Sequence, residues 1–305
     1  IQLRPPNSLW NRGRLPGNIH SLASGTIASG SVSKVRHIES TPKLLDEVRR
    51  QLSRNITEFV NYPVSERILQ GLILGRKDAL SESDWSLFRG LGIVHVLIVS
   101  GLHVSLVALW AQWWVLLPQR LSLSLNIPGS AVISGLGVCA LTFIYVQLTG
   151  ASLPAQRALS MMCTNVLMRA VLWRVSPLSS VVASAALLIT INPWSALTAG
   201  FWLSVLLTGI ILTELERTVR RPLFAWLRLT IVLTVLSSIL SVAFFEQFSP
   251  IALFGNLLIA PIFTMLVLPM GLLSLAMSVV FGSYGGVLLS TLATGVNELL
   301  LMLKQ

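Results

Sequence analysis

Beyond residue 88 the chain has no aspartate and only four glutamates, Glu214, Glu216, Glu246 and Glu298. Charged residues make up 11% of its 305 residues, against about 25% in a typical soluble domain. That scarcity excludes an ordinary water-facing surface for most of the chain and reads instead as a bundle of membrane spans. Cysteine is scarce too. Cys139 and Cys163 both lie in apolar segments, where they read as small core residues rather than a disulfide framework or a metal pair. No nucleophile–base pair, phosphate-cradling glycine loop or metal-ligand cluster is visible, so these residues are read as non-enzymatic, with no catalytic group, metal or cofactor. The start lacks a signal-peptide pattern. The first residue is Ile1, so the native N-terminus is expected upstream.

What the chain has in quantity is apolar sequence: 53% hydrophobic residues and a mean hydropathy of +0.75. Its net charge of +10 suits an anionic partner, and equally suits a bacterial membrane protein with basic cytoplasmic loops. Residues 1–88 carry most of the polarity, with twelve Lys and Arg and eight Asp and Glu. Residues 1–40, rich in Gly, Ser, Pro and Asn, read as β-like or loop material. Residues 41–88 read as amphipathic linker helices. The first covers about 42–58, with Thr41 as cap, Pro42 in the first turn and one face formed by Leu44, Leu45, Val48, Leu52 and Ile56. A second covers 65–76 and ends around Gly75. A third covers 81–88 and is capped by Ser81.

Residues 89–305 form the expected membrane bundle, with spans at about 89–117, 127–148, 153–173, 178–191, 197–213, 229–246, 250–279 and 284–303. The fold class is therefore mainly α: a polytopic helical membrane bundle with a short N-terminal β-rich remnant. The gaps after odd-numbered spans hold Arg120, Arg169, Arg174, Arg217, Arg220, Arg221 and Arg228, whereas the even gaps hold only Arg157. Because cytoplasmic loops gather Lys and Arg, this bias puts the odd gaps inside and both chain ends outside.

One string is distinctive. His95-Val-Leu-Ile-Val-Ser100-Gly101-Leu-His103-Val follows a leucine-rich segment, Ile68 to Gly75, and the block Trp85 to Gly92. Three later blocks keep order and spacing: Thr149-Gly150-Ala151 with Pro154-Ala155-Gln156-Arg157-Ala158; Asn192-Pro193 with Gly200-Phe201-Trp202-Leu203-Ser204; and Phe248-Ser249-Pro250 with Gly255-Asn256 through Pro261 and Leu268-Pro269. Together these blocks resemble the ComEC competence family over nearly the whole chain. Residues 1–40 resemble the tail of the family's extracytoplasmic OB-like domain. Trp202 stands where the family has Gln, and Asn192 where it has Asp.

The resemblance implies a channel in the bacterial inner membrane that passes single-stranded DNA into the cytoplasm during natural transformation. An outer DNA receptor and a cytoplasmic motor or capture protein would be its partners, besides the lipid bilayer. Two alternatives stay open. This stretch can be the membrane anchor of a metallo-β-lactamase-like hydrolase lying beyond residue 305, or a transporter of another solute.

Candidate residues follow from the cost of polar groups at membrane depth. On one helix, His95 and His103 would lie about 80° apart and share a broad face, either lining the DNA path or bonding to neighbouring helices. Ser100 and Gly101, also candidates for the DNA path, permit close packing or a helix break. Arg157 runs against the charge bias and stands where the family has an Arg; it can contact phosphate in bidentate fashion or snorkel to lipid headgroups. Pro250, Pro261 and Pro269 are expected to break the seventh stretch, letting Asn256 face the path. Glu246, Trp202, Ser204, Pro250 and Pro261 read as structural or gating, with Arg157 as the candidate partner of Glu246. Trp113, Trp114, Phe201 and Trp202 are stacking candidates for bases, set against an interfacial anchoring role.

Overall fold

The computed structural model describes residues 2–4, 29–31, 44–121, 130–171, 175–217, 222–245 and 249–304. Thr41, Pro42, Glu246 and Phe248 lie outside the described residues. The fold is mainly α. Near the start, β1 (Gln2–Arg4) and β2 (Ser29–Ser31) pair antiparallel, with Leu3 opposite Gly30.

Three helices follow: α1 (Leu44–Phe59), α2 (Pro63–Leu74) and α3 (Glu82–Gly90). Pro63 opens α2, and Gly75 closes it in the left-handed region at φ 67°, where a residue without Cβ is favoured. Ser81 starts α3 with a reciprocal capping box: its Oγ accepts from the Asp84 amide at 3.2 Å, and Asp84 Oδ2 accepts from the Ser81 amide at 3.0 Å. Asp84 also accepts two bonds from Arg67, at 2.7 and 3.1 Å, which clamp α3 to α2.

The later helices are α4 (Val94–Leu97), α5 (Gly101–Leu121), α6 (Ser130–Leu148), α7 (Leu153–Val171), α8 (Pro177–Ile191), α9 (Ala199–Arg217), α10 (Pro222–Phe245), α11 (Ala252–Phe281) and α12 (Ser283–Lys304). The eight apolar stretches correspond to α5 through α12. Among the described residues, α11 and α12 are long and apolar enough to cross a membrane, while five other apolar helical stretches fall short of that length.

Two local features depart from the sequence reading. The stretch 89–117 is not one helix. After Gly92 (φ 70°) the chain makes the single turn α4, then extends at Ile98 (φ −104°, ψ 127°) before α5 begins at Gly101. The 80° separation of His95 and His103 therefore does not apply, because they sit on different helices. The second departure is α11, which the prolines do not break. It runs continuously from Ala252 and contains two π-helical stretches, Gly255–Ile259 and Ile262–Val267. Pro261 and Pro269 each fall just after one of them. The wider turns move carbonyls away from the proline rings and absorb the missing N–H groups.

The main core surrounds α2. Ile68, Leu69, Leu72 and Ile73 are fully buried, and they pack with Phe263, Leu268 and Leu275 of α11 and with Leu289, Ala293 and Val296 of α12. Burying each such side chain is worth about 1.5–3 kcal/mol. The α1 helix joins this core through Ile56 and a buried hydrogen bond from Asn55 Nδ2 to Ser278 Oγ at 3.1 Å. The helices expected as linkers thus form part of the packed body.

Candidate functional site at the α6–α7 turn

The turn from Thr149 to Ser152 joins α6 to α7 and is held from three sides. Gly75, at the end of α2, lies so close that a methyl group there would overlap the Thr149 carbonyl oxygen. The extended segment before α5 is tied in by Ser152 Oγ, which donates to the Val99 carbonyl at 2.9 Å. Val99, Val104, Tyr145, Val146 and Ala155 form a second buried cluster beneath the turn. Gly150 (φ 79°) and Ala151 (φ 49°) are both left-handed. For alanine that conformation is strained by roughly 1–2 kcal/mol, and the surrounding contacts must hold it.

These contacts bring separate sequence blocks together. The leucine-rich segment ending at Gly75, the Ser100-Gly101 string and the Thr149–Ala158 block meet here. Gly101 approaches α7, and a methyl on it would sit 3.5 Å from Ala158 Cβ. The Gly200 block joins as well: Gly200 at the start of α9 lies against the Arg157 guanidinium, 3.4 Å from where its Cβ would stand to Nη2. Gly75→Ala is expected to combine left-handed strain with backbone overlap, lowering stability by more than ~2 kcal/mol. Gly101→Ala, which gains only an ordinary contact, should stay within about 0.5 kcal/mol of wild type. Thermal melts of the solubilised protein check both.

Arg157 is the exceptional group. It lies in the second turn of α7, half-buried, and its Nε is enclosed without a hydrogen-bond partner. No ion pair reaches it among the described residues. Buried charges are normally paired, because desolvation leaves an uncompensated cost. Arginine is the side chain whose planar fork suits bidentate contact with a carboxylate or phosphate. Glu246, its expected partner, lies outside the described residues.

The two histidines differ. His103 is buried, and its Nδ1 accepts from the Ser100 amide at 3.4 Å, capping α5 and assigning the proton of the neutral ring to Nε2. His95 is exposed although Val96 and Leu97 beside it are buried. The two imidazoles are near enough to interact electrostatically. Ser100 is half-buried.

Asn256 belongs to a different junction, where the start of α11 packs on the loop after α3. Ser249 Oγ donates to the Gly90 carbonyl at 2.6 Å, and a methyl on Gly255 would overlap the Leu91 carbonyl oxygen. Asn256 Nδ2 donates to Thr234 Oγ1 on α10 at 3.0 Å, while its Oδ1 is buried without a partner. Pro250 is exposed ahead of α11, and Pro261 is half-buried within it.

Trp202 is exposed, with Nε1 donating to the Ala196 carbonyl at 2.7 Å and its ring edge-on to buried Phe201. Two residues beyond Gly200, it points about 200° around α9 from the face that meets Arg157. Phe201 is fully buried, which removes it as a stacking surface. Ser204 Oγ donates to the Phe201 carbonyl within the same helix. Trp113 and Trp114 are exposed and edge-on to each other on α5.

Sequence reasoning placed no role on Arg49, which packs on Gly150 from α1. A polar position on an amphipathic helix gives no signal of such a contact. Gly75 and Ser152 were legible only as a helix end and a loop residue.

The family model described as "Competence protein" matches residues 72–305. The chain belongs to the ComEC competence family. Among curated proteins, it is 28% identical over 241 residues to ComE operon protein 3 of Bacillus subtilis (strain 168), a match covering 76% of this chain and 30% of that protein. It is 32% identical over 142 residues to Competence protein ComA of Neisseria gonorrhoeae, covering 45% of this chain and 20% of the relative. Recombination protein 2 of Haemophilus influenzae (strain ATCC 51907 / DSM 11121 / KW20 / Rd) is 25% identical over 231 residues, covering 74% and 28% respectively. The matches thus span less than a third of each relative's length. No solved structure matches the chain. The matched family region begins within α2, leaving α1 and Arg49 outside it.

Proposed function

We propose that this competence-family chain is the membrane-embedded part of a DNA-uptake protein, and that single-stranded DNA passes through it into the cytoplasm during natural transformation. The observation that carries the reading is Arg157, a packed, half-buried guanidinium with no ion-pair partner among the described residues. Its fork matches the paired oxygens of a phosphodiester. Every nucleotide carries that group, so a contact of this kind is indifferent to base sequence. The names of the relatives, two of which refer to competence or the ComE operon, support the same reading.

In this reading α5 to α12 cross the bacterial inner membrane. The supporting argument is physical: α6 exposes Ile133, Phe143 and Ile144, and α10 exposes Ile231, Val235 and Ile239. Apolar surface of that extent is costly in water and natural in lipid. The arginine bias between spans orients the α6–α7 turn and both chain ends outward. Arg157 then receives the strand at the outer mouth, where a separate receptor delivers it, and a cytoplasmic motor or capture protein draws it inward. The stretch itself performs no bond chemistry, and residues 1–40 belong to an outer OB-like domain. Deleting the gene should abolish entry of labelled transforming DNA into the cytoplasm of the source organism, and the intact gene should restore it. Normal entry in the deletion strain would overturn the reading.

A further inference from the structure

Arg49 lies on α1 and reaches the α6–α7 connection with its guanidinium. Its guanidinium rests on the bare backbone of Gly150: Nη2, Cζ and Nη1 stand 3.0, 3.6 and 3.8 Å from where a Cβ would be. Gly150 is left-handed at φ 79°, so both its conformation and the arginine above it favour glycine. The same turn leads through Ala151 and Ser152 into the first turns of α7, which carry Arg157. One short connection thus carries the Arg49 guanidinium against its Gly150 and leads, within two turns of α7, to Arg157.

The neighbouring acids are committed elsewhere. Glu47 pairs with Arg50 at 3.2 Å, and Asp78 pairs with Arg76 at 2.8 Å. Asp78 also interacts electrostatically with Arg49, but its hydrogen bond is to Arg76. Arg49 makes no hydrogen bond or ion pair among the described residues. A half-buried arginine that makes no hydrogen bond or ion pair keeps its donor fork free for an incoming anion.

We propose that Arg49 is a second phosphate contact, so that α1 and α7 together grip two phosphodiesters of one DNA strand at the α6–α7 turn. The inference rests on the reading of Arg157 as a phosphate contact, and it adds a helix that precedes the matched family region. Phosphate groups on lipids share the chemistry, so the test must separate the two sources.

The experiment measures binding of a short fluorescein-labelled oligothymidylate to the full-length protein in nanodiscs, by anisotropy, across a range of salt concentrations. Each phosphate contact with a single strand contributes about 0.7 to the slope of log affinity against log salt. Arg49→Gln is expected to weaken binding about tenfold at low salt and to make the slope shallower by about 0.7. Arg49→Lys should keep the slope, because it keeps the charge. Arg157→Gln should produce its own similar loss.

If Arg157→Gln lowers the slope while Arg49→Gln leaves it at the wild-type value, the second contact is refuted and the first stands. If neither variant changes the slope, or the wild-type protein does not bind, both readings fail. A parallel series compares nanodiscs with and without phosphatidylglycerol. An Arg49→Gln effect confined to the retention of that lipid, with the DNA slope unchanged, would assign Arg49 to a lipid headgroup and overturn the proposal.

Discussion

Arg157→Glu is expected to reduce entry of labelled DNA by at least a hundredfold while the protein reaches the membrane in normal amount. A hydrogen bond to a charged group is worth about 1.5–3 kcal/mol, which corresponds to roughly 10- to 150-fold in affinity, and a carboxylate at the same place adds repulsion of the phosphate. Arg157→Gln should lose most of the uptake. Arg157→Lys should keep part of it, since an ammonium supplies charge without the planar fork. A stability readout separates function from structure. The guanidinium is half-buried and unpaired among the described residues, so its charge is a cost to the fold. Arg157→Met is therefore expected to melt at or above the wild-type temperature while transporting poorly. A structural role predicts the opposite pattern, with lower melting and uptake that tracks the amount of folded protein.

The second large effect lies away from the proposed path. Asp84 is buried and serves two partners, capping α3 through Ser81 and accepting both bonds from Arg67. Asp84→Ala is expected to cost about 3–5 kcal/mol, because it leaves Arg67 without its carboxylate and removes one half of the capping box. Thermal unfolding of the solubilised protein reads this directly. Burial alone would raise the Asp84 pKa, but the bonds from Arg67 and Ser81 outweigh it and hold the carboxyl below its ordinary value of 3.8. A carboxyl depressed in the folded state adds stability that is fully present above its unfolded pKa and is lost as pH falls through the folded one. The gap between wild type and Asp84→Asn should stay constant from neutral pH to about 4 and close below that.

The helices were legible in the sequence because their signals are local. Ser81 reads as the cap of α3, Gly75 as the end of α2, and the eight apolar stretches, the first of them divided, fall on α5 through α12. The departures arise where tertiary contacts decide. Ser152, fifty-three positions away, takes the Val99 carbonyl, and the chain there is extended before α5 starts. No periodicity within 89–117 announces that partner. The prolines of α11 signalled a break, yet two π stretches absorb them. Of the candidate site, Arg157 was visible as a charge in the wrong loop class. Its isolation, its contact with Gly200 and the meeting of sequence blocks at the α6–α7 turn depend on packing. Trp202 drew notice as a departure from the family pattern, and its position around α9 turns it away from Arg157.

The most direct test of the account follows DNA in transit. A photo-crosslinking residue placed at Gln156, exposed beside Arg157, is compared with one at Ile133, exposed on the apolar face of α6. Illumination during uptake of labelled DNA should yield a crosslink to a single strand from position 156 and none from position 133. Normal DNA entry with no crosslink at 156, or with equal crosslinking at 133, would contradict a path past Arg157.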